Sequence, residues 1–249
     1  NDYVQKNNNI KVILGENIGV AKSYRELLKY DIDADLYAFC DQDDIWLENK
    51  VEKAIEQIKK FSNVPALYYS EVNAVNNEME TLLVSKYTGI DTLGSSFNTT
   101  PVIGCTVLFN NKLKEYIKKY GIAENIIMHD LYMYRLCLAV GGKIVHDKNS
   151  YILYRQHANN VVGITATSFK KLKVYDKFKK TRRIMAKDIL NLYDGNITEH
   201  NKRILDKVAR FNDKMNLFEK LEFIFDKEFK SKKIKSDLKF IYDVFNNKI

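Results

Sequence analysis

The sequence predicts an α/β fold with a mixed, mostly parallel sheet flanked by helices, followed by a C-terminal all-helical appendage. Three observations carry this. Over residues 10–160, short apolar runs of strand length alternate with segments whose apolar residues recur every three or four positions, the signature of a layered α/β domain. From about Ser168 the strand pattern stops and only helical periodicity continues. The charge changes at the same place: residues 1–169 hold 18 Lys/Arg and 20 Asp/Glu, residues 170–249 hold 22 and 12, so the net +8 belongs to the last part. The expected units are 1–167, an α/β domain, and 168–249, a basic helical region.

Residues 11–14 read as a strand and 19–30 as a helix with Val20, Tyr24, Leu27 and Leu28 on one face. Residues 36–40 form a buried strand that runs into the acidic string Asp41-Gln42-Asp43-Asp44. A helix over 46–60 places Val51, Ala54, Ile55 and Ile58 together. Strands are expected at 66–69, 81–84 and 102–109. Gly104 inside the last weakens it and marks a close approach of backbone or ligand. A helix capped near Asn110 follows, then a helix over 130–140, then short strands at 143–145 and 151–155. These two lack an intervening helix, which suggests a mixed edge. Beyond Ser168, Leu172, Tyr175, Phe178, Ile204, Val208, Phe211, Met215, Phe218, Leu221 and Phe225 keep helical spacing, with a turn at Asp194-Gly195-Asn196.

The 249 residues are 45% apolar, enough for a sizeable core, and no apolar run approaches the ~18 residues of a membrane span. Two prolines and ten glycines exclude collagen-like and low-complexity classes. Cys40, Cys105 and Cys137 form no CxxC and fit a reducing, cytoplasmic setting.

Asp41, Asp43 and Asp44 place three carboxylates directly after an apolar strand, at the end where open α/β sheets bind ligands. Such carboxylates repel one another unless a cation or several donors neutralise them. A hard divalent cation with open positions for phosphate oxygens suits them. The alternative is that Asp43 or Asp44 caps the helix starting near Trp46. His129-Asp130 opens a later helix, where Asp130 is either an N-cap or a general base for an incoming hydroxyl. His157, in a polar loop ending at Gly163, is a candidate metal ligand or a surface histidine. His146 and His200 have no acidic context in the sequence. Cys105 reads as a small buried residue rather than a nucleophile.

Taken together, ENIGV (16–20), DQDDIW with Lys50 (41–50), YSEVNAVN (69–76), NTTPVIGCT (98–106), HDLYMYRL (129–136) and YRQHANNVVG (154–163) resemble the family 2 glycosyltransferases with a GT-A fold. The similarity is to their bacterial rhamnosyltransferase-like branch. It implies a hexosyltransferase-type enzyme that uses a nucleotide-sugar donor and a divalent metal (Mg or Mn). Its acceptor would be a cell-surface glycan or lipid-linked saccharide, and transfer would invert the anomeric centre. The same resemblance implies metal ligation by Asp43 and His157 and catalysis by Asp130. It implies substrate contacts from Asp41, Asp44, Trp46, Gly104, His129 and Arg155. The family's first strand–loop–helix, with a further acidic pair for the nucleotide, has no counterpart ahead of Lys11. The 249 residues alone are therefore expected to bind nucleotide weakly, and the competing expectation is a non-catalytic carbohydrate- or partner-binding remnant of the fold. A metal-dependent nucleotidyltransferase is a third reading. The basic C-terminal helices have three possible partners: the catalytic core, an anionic membrane surface at the inner face of the cell membrane, and nucleic acid. The membrane is the preferred expectation, and the lack of any nucleic-acid motif argues against the last.

Overall fold

The computed structural model describes residues 2–124, 126–157 and 181–249. A one-turn helix α1 (Asp2–Lys6) precedes α2 (Val20–Lys29), β1 (Leu36–Ala38), β2 (Ile45–Trp46), α3 (Lys50–Ile58), β3 (Ala66–Val75), β4 (Thr81–Val84) and α4 (Leu93–Ser96). Then come β5 (Leu108–Asn110), α5 (Asn111–Tyr120), α6 (His129–Ala139) and β6 (Lys143–Arg155). Four helices end the chain: α7 (Thr181–Tyr193), α8 (Glu199–Arg210), α9 (Leu217–Phe225) and α10 (Ile234–Phe245).

The six strands form one mixed sheet in the order β1-β5-β3-β6-β2, with β4 added to β3. β3 is its axis. Every residue of β3 but Asn73 is buried, as expected of a strand covered on both faces. One edge takes β5 at Leu67–Tyr68 and β4 at Asn73–Val75; the other takes β6 in parallel along its whole length. Strands β1, β3 and β6 therefore run one way, and β2, β4 and β5 the other. This corrects the expected parallel majority: β3–β6 is the only parallel pair among the described residues. The returns that place β5 between β1 and β3, and β2 beside β6, are antiparallel insertions.

Four local expectations also change. Residues 11–14 are not a strand: Val12, Ile13 and Leu14 are exposed and pair with no neighbour, and β propensity alone does not hold a strand. Ile45 and Trp46 pair with Leu153 and Ile152, so the next helix starts at Lys50, behind Asn49, and turns Lys50, Ala54 and Ile58 inward. Val51 and Ile55 stay exposed. Across residues 102–109 the strand is only β5, because Gly104–Thr106 coils into a 3₁₀ turn packed against β3. Finally, 143–145 and 151–155 are the two ends of one strand. The polar stretch between them is absorbed by register shifts around Ser70 and Glu71, where Asp147 accepts from the Asn149 amide at 2.9 Å.

The C-terminal helices pack on the sheet domain. A single apolar core joins Leu28, Phe109 and Tyr132 to Met185, Leu205, Phe223 and Val244. Polar ties cross the same boundary. Asn98 Nδ2 donates to the Phe229 carbonyl (2.8 Å) and Asp237 (2.6 Å), and Asn201 Nδ2 to the Leu138 carbonyl (2.9 Å). Buried Arg135 of α6 donates to the Ser96 carbonyl at 2.7 Å and lies over the Phe97 ring. The 167/168 boundary, Leu172, Tyr175, Phe178 and the Asn159–Gly163 loop lie outside the described residues.

Phe223 stacks on Phe229 (4.6 Å) and Phe240 (5.7 Å) at the centre of this helical layer. Phe223→Ala is expected to cost about 3–5 kcal/mol. Because the core is shared, urea denaturation followed by circular dichroism should show one transition at a lower midpoint. A separate early step, with the sheet domain left intact, would contradict a shared core.

Candidate active site

β1 ends at Ala38, and the chain then carries Phe39, Cys40 and the acidic string across the end of the sheet. Tyr24, projecting from α2, fixes this exit. Its hydroxyl is within hydrogen-bonding distance of the Cys40 carbonyl (2.6 Å) and Asp41 Oδ1 (3.0 Å). Burial raises the Asp41 pKa, and the Tyr24 hydrogen bond opposes the rise. Asp44 is pushed up to about 6 by burial; its Oδ1 accepts from the Arg155 amide at 3.1 Å, while its Oδ2 is buried with no partner in hydrogen-bonding geometry. Asp44 thus ties the acidic string to the end of β6 and caps no helix. Two residues on, His157 Nε2 meets Asp43 Oδ2 at 2.6 Å. The strands β2 and β6 pair with each other, so Asp43 and His157 are held together although 114 positions apart.

The Gly104–Thr106 turn supplies the floor. Ligand atoms of Asp41, Asp44 and Cys105 lie within 4.8 Å of one another. The Cys105 thiol is buried against Asp44, which drives its pKa well above the usual thiol value, so it stays protonated. Cys105 is the small buried residue the sequence suggested. A Cβ on Gly104 would lie 3.0 Å from His129 Nε2 and 3.6 Å from Asp130 Oδ2. The glycine therefore gives room to the next two site residues, though from a turn and not from a strand.

Both stand in the first turn of α6, whose N-cap is Met128, so Asp130 is not the cap. Asp130 is buried, accepts from the Leu131 amide at 2.8 Å and has its pKa raised to about 6, mainly by burial with Asp41 adding repulsion. His129 stacks on Tyr24 (3.9 Å between centroids) and meets Phe39 edge-on (4.5 Å). Burial lowers its pKa to about 3, so it is neutral, and its buried Nε2 has no partner.

Lys50 and Trp46 complete the wall. Lys50 is buried, with Nζ 3.8 Å from the centre of the Trp46 ring, and its pKa is lowered by burial while Cys105, Cys40 and Asp44 pull it back up. Trp46 packs beside Val72, Cys105 and Ile152. All nine sequence-named residues thus gather at one end of the sheet. Sequence reasoning left Lys50 and Tyr24 without roles here. Lys50 lies within a quoted motif, and Tyr24 carries a hydroxyl on a face read as purely apolar. It also left His146 without an acidic partner, whereas the structure pairs His146 Nε2 with buried Glu71 at 2.9 Å.

Asp41 and Asp44 bring carboxylate oxygens, one of them buried without a partner, within 4.8 Å of each other and of the Cys105 thiol, with the Asp43–His157 pair adjoining in the chain; these carboxylates suit a hard divalent cation such as Mg²⁺ or Mn²⁺, whereas the protonated thiol beside them does not.

No family model matches the sequence. A dTDP-rhamnosyl transferase, RfbG of Shigella flexneri, is 32% identical over 153 residues, covering 58% of this chain and 52% of that protein. Over those residues the sequence is similar to a rhamnosyl transferase. The chain spans about half the length of that relative. The fold is shared with TarS of S. aureus, solved over residues 1–349 in complex with UDP-GlcNAc. That match has a TM-score of 0.52 and 17% identity, and covers 90% of this chain and 65% of the other.

Burying the Asp130 charge opposes folding. The folded pKa of about 6 exceeds the usual 3.8, so the penalty is nil below pH 4, grows through pH 6 and is complete above. It amounts to about 3 kcal/mol. Asp130→Asn should therefore raise the melting temperature at pH 8 by about 5 °C, with the gain vanishing near pH 4. A pH-independent difference in thermal melts would contradict this origin.

Proposed function

We propose that the chain transfers a sugar from a nucleotide-diphosphate donor to a hydroxyl of a glycan or lipid-linked acceptor, with inversion and with a divalent metal. The observation that carries this reading is the buried Asp130 carboxylate, poised near pH 6 beside the Asp41–Asp43–Asp44 and His157 cluster. The printed name of the RfbG relative makes a deoxyhexose such as rhamnose the favoured sugar.

Asp130 accepts the proton of the acceptor hydroxyl as that oxygen forms its bond to the anomeric carbon. The bond from that carbon to the diphosphate breaks on the opposite face, and its electron pair leaves with the diphosphate. One displacement inverts the centre. No protonating acid is required, which agrees with a single buried carboxyl at α6. Asp43 and His157 would hold a bound Mg²⁺ or Mn²⁺, with Asp41 and Asp44 beside it, and the ion supplies charge neutralisation to the diphosphate. Arg155 adds a guanidinium for the same phosphates. Trp46, Gly104 and His129 shape the pocket wall, His129 as a neutral ring. In this reading residues 1–167 carry the chemistry, and the helices from Thr181 onward buttress α6, the helix that bears Asp130. Free Cys40, Cys105 and Cys137 favour a cytoplasmic setting.

Asp130→Asn is expected to lower transfer from a nucleotide sugar by about 10²–10⁴-fold while leaving donor binding in calorimetry unchanged. Wild-type transfer should fall below about pH 6 as Asp130 takes up its proton. Transfer retained in Asp130→Asn would overturn the assignment.

His157→Ala should remove the Mn²⁺-stimulated part of donor binding while leaving metal-free binding in place. Equal Mn²⁺ stimulation in the variant would remove His157 from the metal site.

A further inference from the structure

We propose that the outer face of α10 is a contact surface for an anionic lipid bilayer. This goes beyond the active-site reading and does not depend on it.

α10 is apolar on two sides. Phe240 and Val244 face the core, and Asp243 turns to Arg182 on the same side, at 3.0 Å. On the other side, Ile234 (78% exposed), Leu238 (61%), Tyr242 (56%) and Phe245 (43%) project into solvent. At about 100° per residue, these four fall within an arc of about 80°. They form one continuous stripe on which nothing among the described residues packs, of the kind that marks a binding surface. Helices that only pack against a domain leave their outer side polar; this one does not.

The charges say what fits there. Exposed Lys235 stands on one long edge of the stripe, one turn ahead of Lys239, whose ammonium pairs with Asp243 at 2.8 Å, and exposed Lys232 stands just ahead of the stripe's first residue. The helix's two carboxylates are drawn inward: Asp237 is engaged by Asn98 and by Ser231 (2.8 Å), and Asp243 by Arg182 and Lys239. The outer face therefore pairs apolar side chains with positive charge and offers no exposed carboxylate. This is the composition of an interfacial helix that seats its apolar side chains among acyl chains and its lysines among anionic headgroups. A two-fold contact between copies of this helix fits less well, because it places lysine rows near each other with no acid to pair them. The neighbouring α9 also exposes Phe218 and Phe225, but Glu222 lies on that same face and is itself exposed, so α9 is left out of the surface.

The test is vesicle flotation of the full chain. Vesicles of phosphatidylcholine with about 30% phosphatidylglycerol should bind it at least tenfold more tightly than phosphatidylcholine alone, and high salt should weaken this. The Leu238→Ser/Phe245→Ser double variant should lose about tenfold, with an unchanged melting temperature showing that the fold persists. Lys232→Gln and Lys235→Gln, on exposed side chains, should each lose about fivefold and decide the matter if the apolar variant does not fold. Flotation that is equal for wild type and these variants, or equal on neutral and anionic vesicles, overturns the proposal. So does light scattering that shows the chain self-associating through Leu238 and Phe245 while no vesicle binds.

Discussion

Like charges brought together in a partly dry place must be compensated, and the architecture around the end of β1 is organised by that requirement. Asp41, Asp43, Asp44 and Asp130 converge there from two segments about ninety positions apart. Burial pushes up Asp41, Asp44 and Asp130, and Asp41 and Asp130 repel each other. The compensators come from everywhere else: a tyrosine hydroxyl from α2, a buried lysine from α3, a backbone amide and an imidazole from the end of β6. None is close in sequence to the group it steadies, apart from Lys50. The compensation is incomplete, since Asp44 Oδ2 keeps no partner. An unsatisfied buried oxygen is tolerated where a ligand is to complete it.

The fold makes this convergence possible through departures from regularity. β6 has 13 residues against the 10 of β3, and register shifts between Ser70 and Asn73 absorb the three extra. Without the shifts, Arg155 would not align with Val75 and its amide would not reach Asp44. Two adjacent residues of β3, Ser70 and Glu71, are buried polar groups at that irregularity, and Glu71 is satisfied by His146, Ser85 and the Tyr87 amide. The 3₁₀ turn at Gly104 breaks what composition presents as a strand, and it is the break that leaves space beside Asp130. One irregularity thus accommodates buried polar groups along β3 and β6, and the other leaves space beside Asp130.

Much of this was legible in the sequence. Layered α/β architecture followed from apolar periodicity, and the acidic string, Asp130 and His157 were visible because their chemistry is unusual for their position. What could not be read is pairing direction: β5 and β2 look like any other apolar runs, and the antiparallel returns that insert them depend on long-range partners. The helix expected from Trp46 failed for the same reason. Ile45 and Trp46 have a strand partner in β6, and that pairing outweighs the helical spacing that begins at Lys50. Tyr24 shows the opposite limit. Its inward face was predictable from Leu28, but the use of its hydroxyl on Asp41 is a tertiary fact with no local signature.

The C-terminal helices show why net charge alone cannot assign a partner. Their +10 excess suggested a basic surface, yet their inner faces form part of one core with the sheet, and several of their charges serve it. Arg182 holds Asp243, and Arg183 donates to the Phe211 carbonyl at 3.1 Å. What distinguishes α10 is the sorting of its charges: carboxylates turned to the core, lysines to the rim, and the space between filled by exposed apolar side chains. A helix needed only for packing gains nothing from a second apolar stripe, which lowers solubility and does not increase burial. The arrangement fits the proposed membrane contact, in which some of this helix's apolar area leaves water for another phase. Positive charge beside that area selects which phase it is.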